Sequence, residues 1–259
     1  MIHQLAVVDR RAKIGDNVTV EPFTTIAPDV EIGEGTWIGP NVTIMDGARI
    51  GKNCKIFPGT VISAVPQDLK FEGENSYVII GDNTTIRECV TINRGTKSLG
   101  HTKIGNNCLI MATAHIAHDC VLGDNVIIVN GCGVAGHVEI GDFAIIGGIT
   151  AIHQFSRIGK HAMISGGSLI RKDIPPYVIA DGQPAHVIGL NSVGLARAGV
   201  SEEVRRELKK AFRIIYRSGY SLSKAIEEME LNLTSSTEIE HMLRFLRNAD
   251  RGIMRVRRD

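Results

Sequence analysis

The chain repeats an aliphatic residue at every sixth position, and this period limits its possible folds more than any other feature. An α-helix would repeat near 3.6 residues and a simple strand about every 2 residues, so a period of six fits neither. It is typical of a parallel β-helix, in which each hexad forms a short strand and a turn and three hexads complete one triangular coil. Coils stack about 4.8 Å apart, as paired strands do, with the aliphatic side chains inside. The unbroken run comprises Ile104, Ile110, Ile116, Leu122, Ile128, Val134, Ile140, Ile146, Ile152, Ile158, Ile164 and Ile170.

The same frame begins near the N-terminus and is interrupted twice. Asp68 and Glu74 replace aliphatic residues in the first interruption, and Ser98 does so in the second. The interruptions predict two external loops, residues 63–79 and 93–103, on an otherwise regular column. Insertions in a solenoid commonly build its binding face, although a plain surface loop is the alternative for each. The first loop, rich in Asp, Lys and Gln, is expected to be the more important one.

The six-residue frame stops after Ile170, and residues 174–190 read as irregular. A helical period follows, with polar residues that suit helix starts. We therefore predict an all-β solenoid over residues 1–190 and a C-terminal α-helical domain over residues 191–259. The expected helix starts are Ser201, Ser221 and Thr237, the last in a capping box with Glu240.

Composition and length indicate a soluble protein with a large core. The chain has 259 residues, 43% of them hydrophobic, and a net charge of +1, so we expect no nucleic-acid partner. No stretch reaches the roughly 18 apolar residues of a membrane span, and no signal-peptide pattern is present at the N-terminus, so a cytoplasmic location is expected. Cysteines recur in a repeat slot that takes small side chains, which indicates packing groups rather than disulfide partners or nucleophiles. They are Cys54, Cys108, Cys120 and Cys132.

Histidines crowd into the part of the solenoid where the frame is unbroken. Eighteen residues return the chain to the same column one coil further on, which places His118, Gly136 and Gln154 in one column. Asp119 and His137 share the next column. His118 and His137 are therefore expected on neighbouring coils near one corner, with an acid and a glycine backbone close by.

Three interpretations of this cluster are open. General-base catalysis needs a histidine, a group that orients it and an N–H donor for an oxyanion, and His118, Asp119 or a neighbouring acid, and Gly136 could supply them. A metal site is the second, but hexapeptide-repeat carbonic anhydrases use histidines five residues apart, and His115 and His118 are three apart. Zinc also takes three or four ligands in defined geometry, so no metal cofactor is expected. The third is a polar outer surface without a function.

At residues 113–120 the sequence TAHIAHDC resembles a run found in the UDP-N-acetylglucosamine O-acyltransferase family. The resemblance extends over essentially the whole chain, including both loops and the C-terminal helices. The other stretches that carry it are Pro66–Lys70, Ile86–Glu88, Ala135–His137, His153–Phe155, Pro175–Ala180 and Ile215–Gly219.

The resemblance implies a left-handed parallel β-helix, a homotrimer with active sites between subunits, and no cofactor. The reaction would transfer a (R)-3-hydroxyacyl group from acyl carrier protein to the 3-hydroxyl of UDP-N-acetylglucosamine, the first step of lipid A biosynthesis. His118 would be the general base, Asp119 or another acid would orient it, and the Gly136 N–H would hold the oxyanion. Gly166 lies where relatives set acyl length, and glycine leaves room for a long chain. The substrates would be held by Gln67, Asp68, Lys70, His115, His137 and Gln154, with Asn191 and Arg197 on the uridine nucleotide.

Three positions depart from the family pattern. A common Glu is replaced by Val193, a second arginine beside Arg197 is replaced by Ala198, and Asn93 stands where histidine is frequent. The nearest alternative is the N-acyltransferase of the same pathway, which acts on UDP-3-O-acylglucosamine and carries an extra N-terminal domain, whereas the frame here begins at Ile2. A metal-dependent hexapeptide-repeat enzyme and a non-enzymatic scaffold are further alternatives.

Overall fold

Short parallel strands wind into a triangular prism in this computed structural model, which describes residues 1–249 and 251–256. The prism has three walls of nine, eight and ten strands. Over residues 7–170, consecutive strands belong to consecutive walls, and each pairs in parallel with the strand one coil away. The predicted fold class is confirmed as a left-handed parallel β-helix of hexapeptide repeats, followed by helices.

The strands of the three walls have the following bounds. Wall 1 contains β1 (Val7–Val8), β4 (Thr25–Ile26), β7 (Thr43–Ile44), β10 (Val61–Ala64), β13 (Thr91–Asn93), β16 (His115–Ile116), β19 (Gly133–Val134), β22 (Ala151–Ile152) and β25 (Leu169–Ile170). Wall 2 contains β2 (Lys13–Ile14), β5 (Val30–Ile32), β8 (Ala48–Ile50), β11 (Tyr77–Ile80), β14 (His101–Ile104), β17 (Val121–Leu122), β20 (Glu139–Ile140) and β23 (Arg157–Ile158). Wall 3 contains β3 (Thr19–Val20), β6 (Trp37–Ile38), β9 (Lys55–Ile56), β12 (Thr85–Ile86), β15 (Leu109–Ile110), β18 (Ile127–Ile128), β21 (Ile145–Ile146), β24 (Met163–Ile164), β26 (Val178–Asp181) and β27 (His186–Leu190).

The repeated aliphatic side chains form one continuous core along the prism. Ile104, Ile110 and Ile116 are fully buried. The strand register stacks each aliphatic residue on the one a coil away, as in the pairing of Ile110 with Ile128 and of Ile128 with Ile146. Each buried side chain of this kind contributes about 1.5–3 kcal/mol, so every coil is stabilised by its own three.

The small slot of the repeat is also interior. Cys54, Cys108, Cys120 and Cys132 are buried, and all five cysteines are free thiols. Their sulfur atoms lie within hydrogen-bonding distance of backbone carbonyls, as Cys120 Sγ does at 3.1 Å from the Ala135 oxygen. They are packing groups, as predicted.

The corners of the prism carry residues with left-handed backbone. At the corner between walls 1 and 2, named corner 1/2, Asp119, His137 and Phe155 have φ of 58°, 62° and 62°. Such values are uncommon for these residue types and need support from the surrounding structure. Here each coil supports the next: the His137 N–H donates to the His118 carbonyl, and the Phe155 N–H donates to that of Gly136. Corners 2/3 and 3/1 are named in the same way.

Two loops leave the column, and they pack against each other. The segments outside the strands are residues 65–76 and 94–100, shorter than the predicted 63–79 and 93–103 because the flanking strands lengthen to three or four residues. The Lys97 N–H donates to the Glu74 carboxylate at 2.8 Å, which ties the second loop to the first.

The C-terminal region differs from prediction in two places. Residues 174–190, read as irregular, contain the antiparallel pair β26 and β27, with β26 adding to wall 3 beside β24. Pro175 and Pro176 ended the repeat pattern and concealed this extension. The last helix is capped by Ser236 rather than Thr237, since the Ser236 hydroxyl accepts the Ile239 N–H.

Four helices complete the described chain: α1 (Ser192–Arg197), α2 (Glu202–Arg217), α3 (Leu222–Asn232) and α4 (Thr237–Arg247). They share a core that includes Tyr177, Leu208 and Met242, while Phe212 packs with the core of the solenoid. The strand-to-helix change falls between Leu190 and Ser192. The division of the chain into domains there stays a prediction. Within residues 1–249 and 251–256, no helix combines the length and apolarity that a bilayer crossing requires.

Candidate active site

The histidine cluster lies at corner 1/2. His118 and Asp119 follow β16, and Gly136 and His137 follow β19 one coil further on. The register aligns these turns, because His115 pairs with Gly133 and Gly133 with Ala151. The predicted eighteen-residue stacking is therefore confirmed for this corner.

A hydrogen bond joins His118 to the acid that follows it. His118 Nδ1 lies 2.8 Å from Asp119 Oδ2, with the Asp119 side chain fully buried and the His118 side chain 14% exposed. An ionised carboxylate only accepts, so Nδ1 carries the hydrogen and Nε2 keeps a free lone pair. The sequence left open whether Asp119 or another acid orients His118, and Asp119 is the acid that the ring contacts.

Two residues that the sequence analysis missed also bind this carboxylate. Asp119 Oδ2 accepts the Thr96 hydroxyl at 2.7 Å, and Oδ1 accepts the N–H groups of Thr96 at 3.0 Å and Leu99 at 3.2 Å. Both belong to the second loop. Its frame lapse at Ser98 was the available signal, but no residue type in it indicated what it touches.

The charge of Asp119 is stabilised by these donors. Burial raises the pKa of this carboxyl, but the hydrogen bonds from Thr96, His118 and Leu99 together outweigh it, and the pKa lies below its ordinary value. The group is ionised at neutral pH and can hold the imidazole in one tautomer.

Gly136 lies directly against the imidazole of His118. A Cβ at this position would come 2.7 Å from the ring Cε1 and 2.8 Å from Nε2, closer than a methyl group can approach. Because residue 136 is a glycine, its backbone lies next to the His118 ring with no side chain between them. Within the described chain, no backbone or side-chain acceptor takes the Gly136 N–H.

The His137 ring lies next to His118 and Asp119. Its ring stacks on Phe155 with centroids 4.5 Å apart and meets His118 edge-on at 5.1 Å. Burial lowers the pKa of His137, while the charges of Asp119 and Asp68 oppose this and His118 adds to it. The ring is therefore neutral at pH 7 and can donate or accept a hydrogen bond.

His115 lies on the wall strand that leads to this corner. Its Nδ1 is 2.7 Å from the Thr91 hydroxyl. Burial, followed by the nearby His118, lowers the pKa of His115. Among the described residues, no hydrogen-bond partner contacts the other ring nitrogen.

The first loop contributes exposed polar groups. Gln67 and Lys70 are exposed, and the Asp68 carboxylate accepts the Lys70 N–H at 3.0 Å in a local turn. Asp68 is near enough for its charge to act on His137. Gln154 is exposed in the column of His118.

A cavity of about 360 Å³ adjoins the corner. Its lining includes Asp119, His137, Phe155, Leu99 and Arg251. A larger one, about 840 Å³, lies between β27 and α2 and includes none of the clustered histidines. The smaller cavity therefore borders Asp119 and His137 of the cluster, whereas its lining does not include His118 or Gly136.

Three predicted residues lie elsewhere on the same chain. Asn191 caps α1, accepting the Gly194 N–H at 3.0 Å and donating to the His161 carbonyl at corner 2/3. Arg197 is exposed at the end of α1, and Gly166 is exposed in the turn between β24 and β25, at corner 3/1. One chain alone does not bring them to His118.

The donor set at corner 1/2 does not suit a metal ion. His118, Asp119 and His137 offer ligand atoms within 4.8 Å of one another. Both oxygens of Asp119 already accept two hydrogen bonds each, and His118 Nδ1 is one of the donors. Two imidazoles and one carboxylate can hold zinc, but an ion here would have to displace hydrogen bonds from a carboxylate that the loop already holds.

Known proteins match the chain along nearly its full length. Residues 173–254 match the family described as UDP-N-acetylglucosamine O-acyltransferase, domain 2, and residues 11–36, 29–64 and 101–136 match the bacterial transferase hexapeptide family. An acyl-[acyl-carrier-protein]–UDP-N-acetylglucosamine O-acyltransferase of Sulfurihydrogenibium sp. is 55% identical, covering 97% of this chain and 93% of the relative.

Solved structures agree with these matches. A UDP-N-acetylglucosamine acyltransferase from Bacteroides fragilis 9343 superposes with a TM-score of 0.97 at 47% identity, covering 98% of this chain and 100% of the other. The corresponding structure from Acinetobacter baumannii has a TM-score of 0.96 at 42% identity, with 99% of each chain covered.

Proposed function

Because the chain belongs to the acyl-[acyl-carrier-protein]–UDP-N-acetylglucosamine O-acyltransferase family, we propose that corner 1/2 is where it carries out acyl transfer. The protein is an enzyme that moves an acyl chain from acyl carrier protein to an oxygen of UDP-N-acetylglucosamine. Our proposal covers what is specific: a (R)-3-hydroxyacyl donor, the sugar 3-hydroxyl as acceptor, and the first step of lipid A biosynthesis as the setting.

His118 is the general base in this proposal. The hydrogen on Nδ1, held by Asp119 at 2.8 Å, leaves Nε2 to remove the proton of the attacking hydroxyl. The hydroxyl oxygen bonds to the thioester carbonyl carbon, whose oxygen becomes an oxyanion. Asp119 stabilises the imidazolium that forms and stays ionised. This oriented pair is the observation that carries the proposal.

The Gly136 N–H is the proposed oxyanion donor. Its backbone is adjacent to the imidazole, and no acceptor among the described residues competes for it. When the intermediate collapses, the carbon–sulfur bond breaks and the imidazolium returns its proton to the leaving thiolate of the acyl carrier protein. No acyl-enzyme forms and no cofactor is needed, because the thioester is already activated.

The remaining polar residues position the substrates. His115 and His137, both neutral because burial lowers their pKa, hydrogen-bond the sugar beside the base. The cavity beside Asp119 gives part of a ligand a recess. The other proposed contacts are Gln67, Asp68, Lys70 and Gln154 near corner 1/2, Asn191 and Arg197 for the uridine nucleotide, and Gly166 beside the acyl chain.

A homotrimer would complete this site. Asn191, Gly166 and His118 lie at three different corners of one prism, so a single ligand reaches all of them only across a subunit boundary. Three copies around a threefold axis would set a corner of one chain against a corner of the next. Light scattering should give three times 28.1 kDa, and a stable monomer at assay concentration would contradict the arrangement.

A cytoplasmic location completes the proposal. It is supported by the five free thiols, which suit a reducing compartment.

An acyl-transfer assay tests the proposed function. Acyl carrier proteins loaded with (R)-3-hydroxyacyl chains of several lengths are offered with UDP-N-acetylglucosamine, and separately with UDP-3-O-acylglucosamine. Ester formation on the first acceptor is expected, and it should survive dialysis against a chelator. Amide formation on the second acceptor would favour the N-acyltransferase, and activity that zinc alone restores would favour a metal enzyme.

A further inference from the structure

We propose that Thr96 is a positioning residue for acyl transfer, which fixes the Asp119 carboxylate and through it the His118 imidazole. The inference rests on the proposed function, in which His118 is the base. It assigns a role to the second loop, which the repeat pattern identifies only as an interruption.

The contacts of Asp119 show how much depends on this loop. Of the four donors to its carboxylate, Thr96 supplies two and Leu99 a third, all from the segment 94–100. His118 supplies the fourth. Without the loop a buried carboxylate would keep one partner, which is costly, and its plane would no longer be fixed relative to the ring.

The Thr96 hydroxyl has a defined direction. Its oxygen accepts the Ser98 N–H at 3.2 Å and lies 2.7 Å from Asp119 Oδ2. Since a carboxylate has no hydrogen to give, the hydroxyl hydrogen points at Asp119. Thr96 is 6% exposed, so water does not readily replace it.

Two backbone contacts within the loop hold Thr96 in place. A Cβ at Gly95 would lie 2.2 Å from the His101 nitrogen, so only glycine permits this close approach of the two loop ends. The Gly100 N–H donates to the Thr96 carbonyl at 2.7 Å and closes the turn. Both contacts lie within the second loop, and they come in addition to the strand pairs that β13 and β14 make in the solenoid.

Thr96 also moderates the charge on Asp119. Its hydroxyl shares Oδ2 with His118 Nδ1, so the carboxylate holds the ring without keeping an imidazolium too tightly. When the hydroxyl is removed, Asp119 Oδ2 keeps the imidazole as its one hydrogen-bond donor among the described residues, and the carboxylate favours the imidazolium more strongly. The acidic limb of the kcat/KM profile then moves to higher pH, and the carboxylate loses one of the four hydrogen bonds that fix its orientation.

The experiment compares Thr96→Val, which keeps shape but removes the hydroxyl, with Thr96→Ser, which keeps it. Thr96→Val should lower kcat about 10- to 100-fold, the factor expected for a hydrogen bond to a charged group, with little change in KM for UDP-N-acetylglucosamine. Its acidic limb should move up in pH. Thr96→Ser should restore most of kcat and the original profile. The matched control is Thr36→Val, which removes another buried hydroxyl hydrogen bond, to the Gly51 carbonyl, far from corner 1/2.

Two results would overturn the role of Thr96. One is a folded Thr96→Val enzyme with unchanged kcat and pH profile. The other is an equal loss in Thr96→Ser, which would assign the effect to packing. Thr96→Ala replaces the valine variant if that one does not fold. If His118→Ala retains activity, the proposed function fails instead, whatever Thr96 does.

Discussion

Two corners of the prism carry the same stack of a histidine on a phenylalanine, yet only at one of them does a buried acid bond a second histidine. At corner 1/2 the rings of His137 and Phe155 are 4.5 Å apart and 10° from parallel. At corner 2/3 the rings of His161 and Phe143 are 4.7 Å apart and 9° from parallel. All four residues have left-handed φ between 54° and 62°. The geometry of the coils therefore produces this stack at both corners, and the stack by itself does not indicate a catalytic role.

The two corners differ in the burial and the contacts of their acidic residues. Asp119 is buried and bonds the imidazole of His118. Asp142, at corner 2/3, has a side chain 45% exposed, accepts the backbone N–H of Asp124 and lies 3.8 Å from Lys160. An inserted loop covers the first corner and supplies donors, so that a buried charge beside a histidine is tolerated there.

Replacing the two acids should separate the corners most clearly. Asp119→Asn presents an amide that can donate to Nδ1, which would move the ring hydrogen to Nε2 and remove the base. Turnover should fall by about 10²- to 10⁴-fold. Asp142→Asn keeps the acceptor for the Asp124 N–H and should leave kcat/KM near wild type. Steady-state kinetics on both variants, with circular dichroism for folding, check this, and equal losses would contradict it.

The two stacked histidines should differ in a smaller way. His137→Ala removes a substrate contact and should raise KM for UDP-N-acetylglucosamine about tenfold, with a lesser fall in kcat. His161→Ala loses a comparable stack, worth about 0.5–1.5 kcal/mol, and should lower stability while kcat/KM changes little. Initial rates and thermal denaturation distinguish the two. A wild-type KM in His137→Ala would remove it from the site.

The third corner, 3/1, carries Gly166, which is proposed to set the length of the acyl chain. Gly166→Met places a bulky group in the proposed acyl groove, and its Cβ would approach the Gly148 carbonyl at 3.2 Å, which a small shift can relieve. The variant should prefer shorter donors and bind the nucleotide sugar as before. Gly189→Met, on β27 with open space around its Cβ, is the control. Competition among donors of different length measures the preference, and an unchanged profile would exclude Gly166.

The smallest effect is one that the two corners should share. Burial lowers the pKa of His137 and of His161. Below roughly pH 6.5 the two histidines therefore bind more protons in the unfolded chain than in the folded chain. The free energy of unfolding falls as the pH drops toward and through the lowered pKa values of the folded state. Tm should be a few degrees lower at pH 5.5 than at about pH 7.5. His137→Ala and His161→Ala should each reduce this difference, and no reduction in either would contradict the assignment.

The sequence predicted the repeating part of the molecule well because one period determines it. Each Ile of the frame has the same neighbours one coil away, so the stacking of His118 over Gly136 followed from counting eighteen residues. The repeat could not reveal β27, which pairs antiparallel with β26 after the pattern had ended.

The candidate site was predictable only as far as the period reached. The cluster of His118, Asp119 and His137 was located in advance. Thr96 was not, because a loop has no register and its fold depends on contacts such as the close approach at Gly95. The expectation that the first loop would be the more important stays a prediction, and the second loop is the one that binds Asp119.

Turnover of His118→Ala tests the central claim most directly. The imidazole lies outside the core, so the variant should remain folded with the oligomeric state of wild type. With saturating UDP-N-acetylglucosamine and acyl-acyl carrier protein, kcat should be about 10²- to 10⁴-fold below wild type. A folded His118→Ala enzyme with kcat within about threefold of wild type would show that His118 is not the base, and His137 would then be the group to examine.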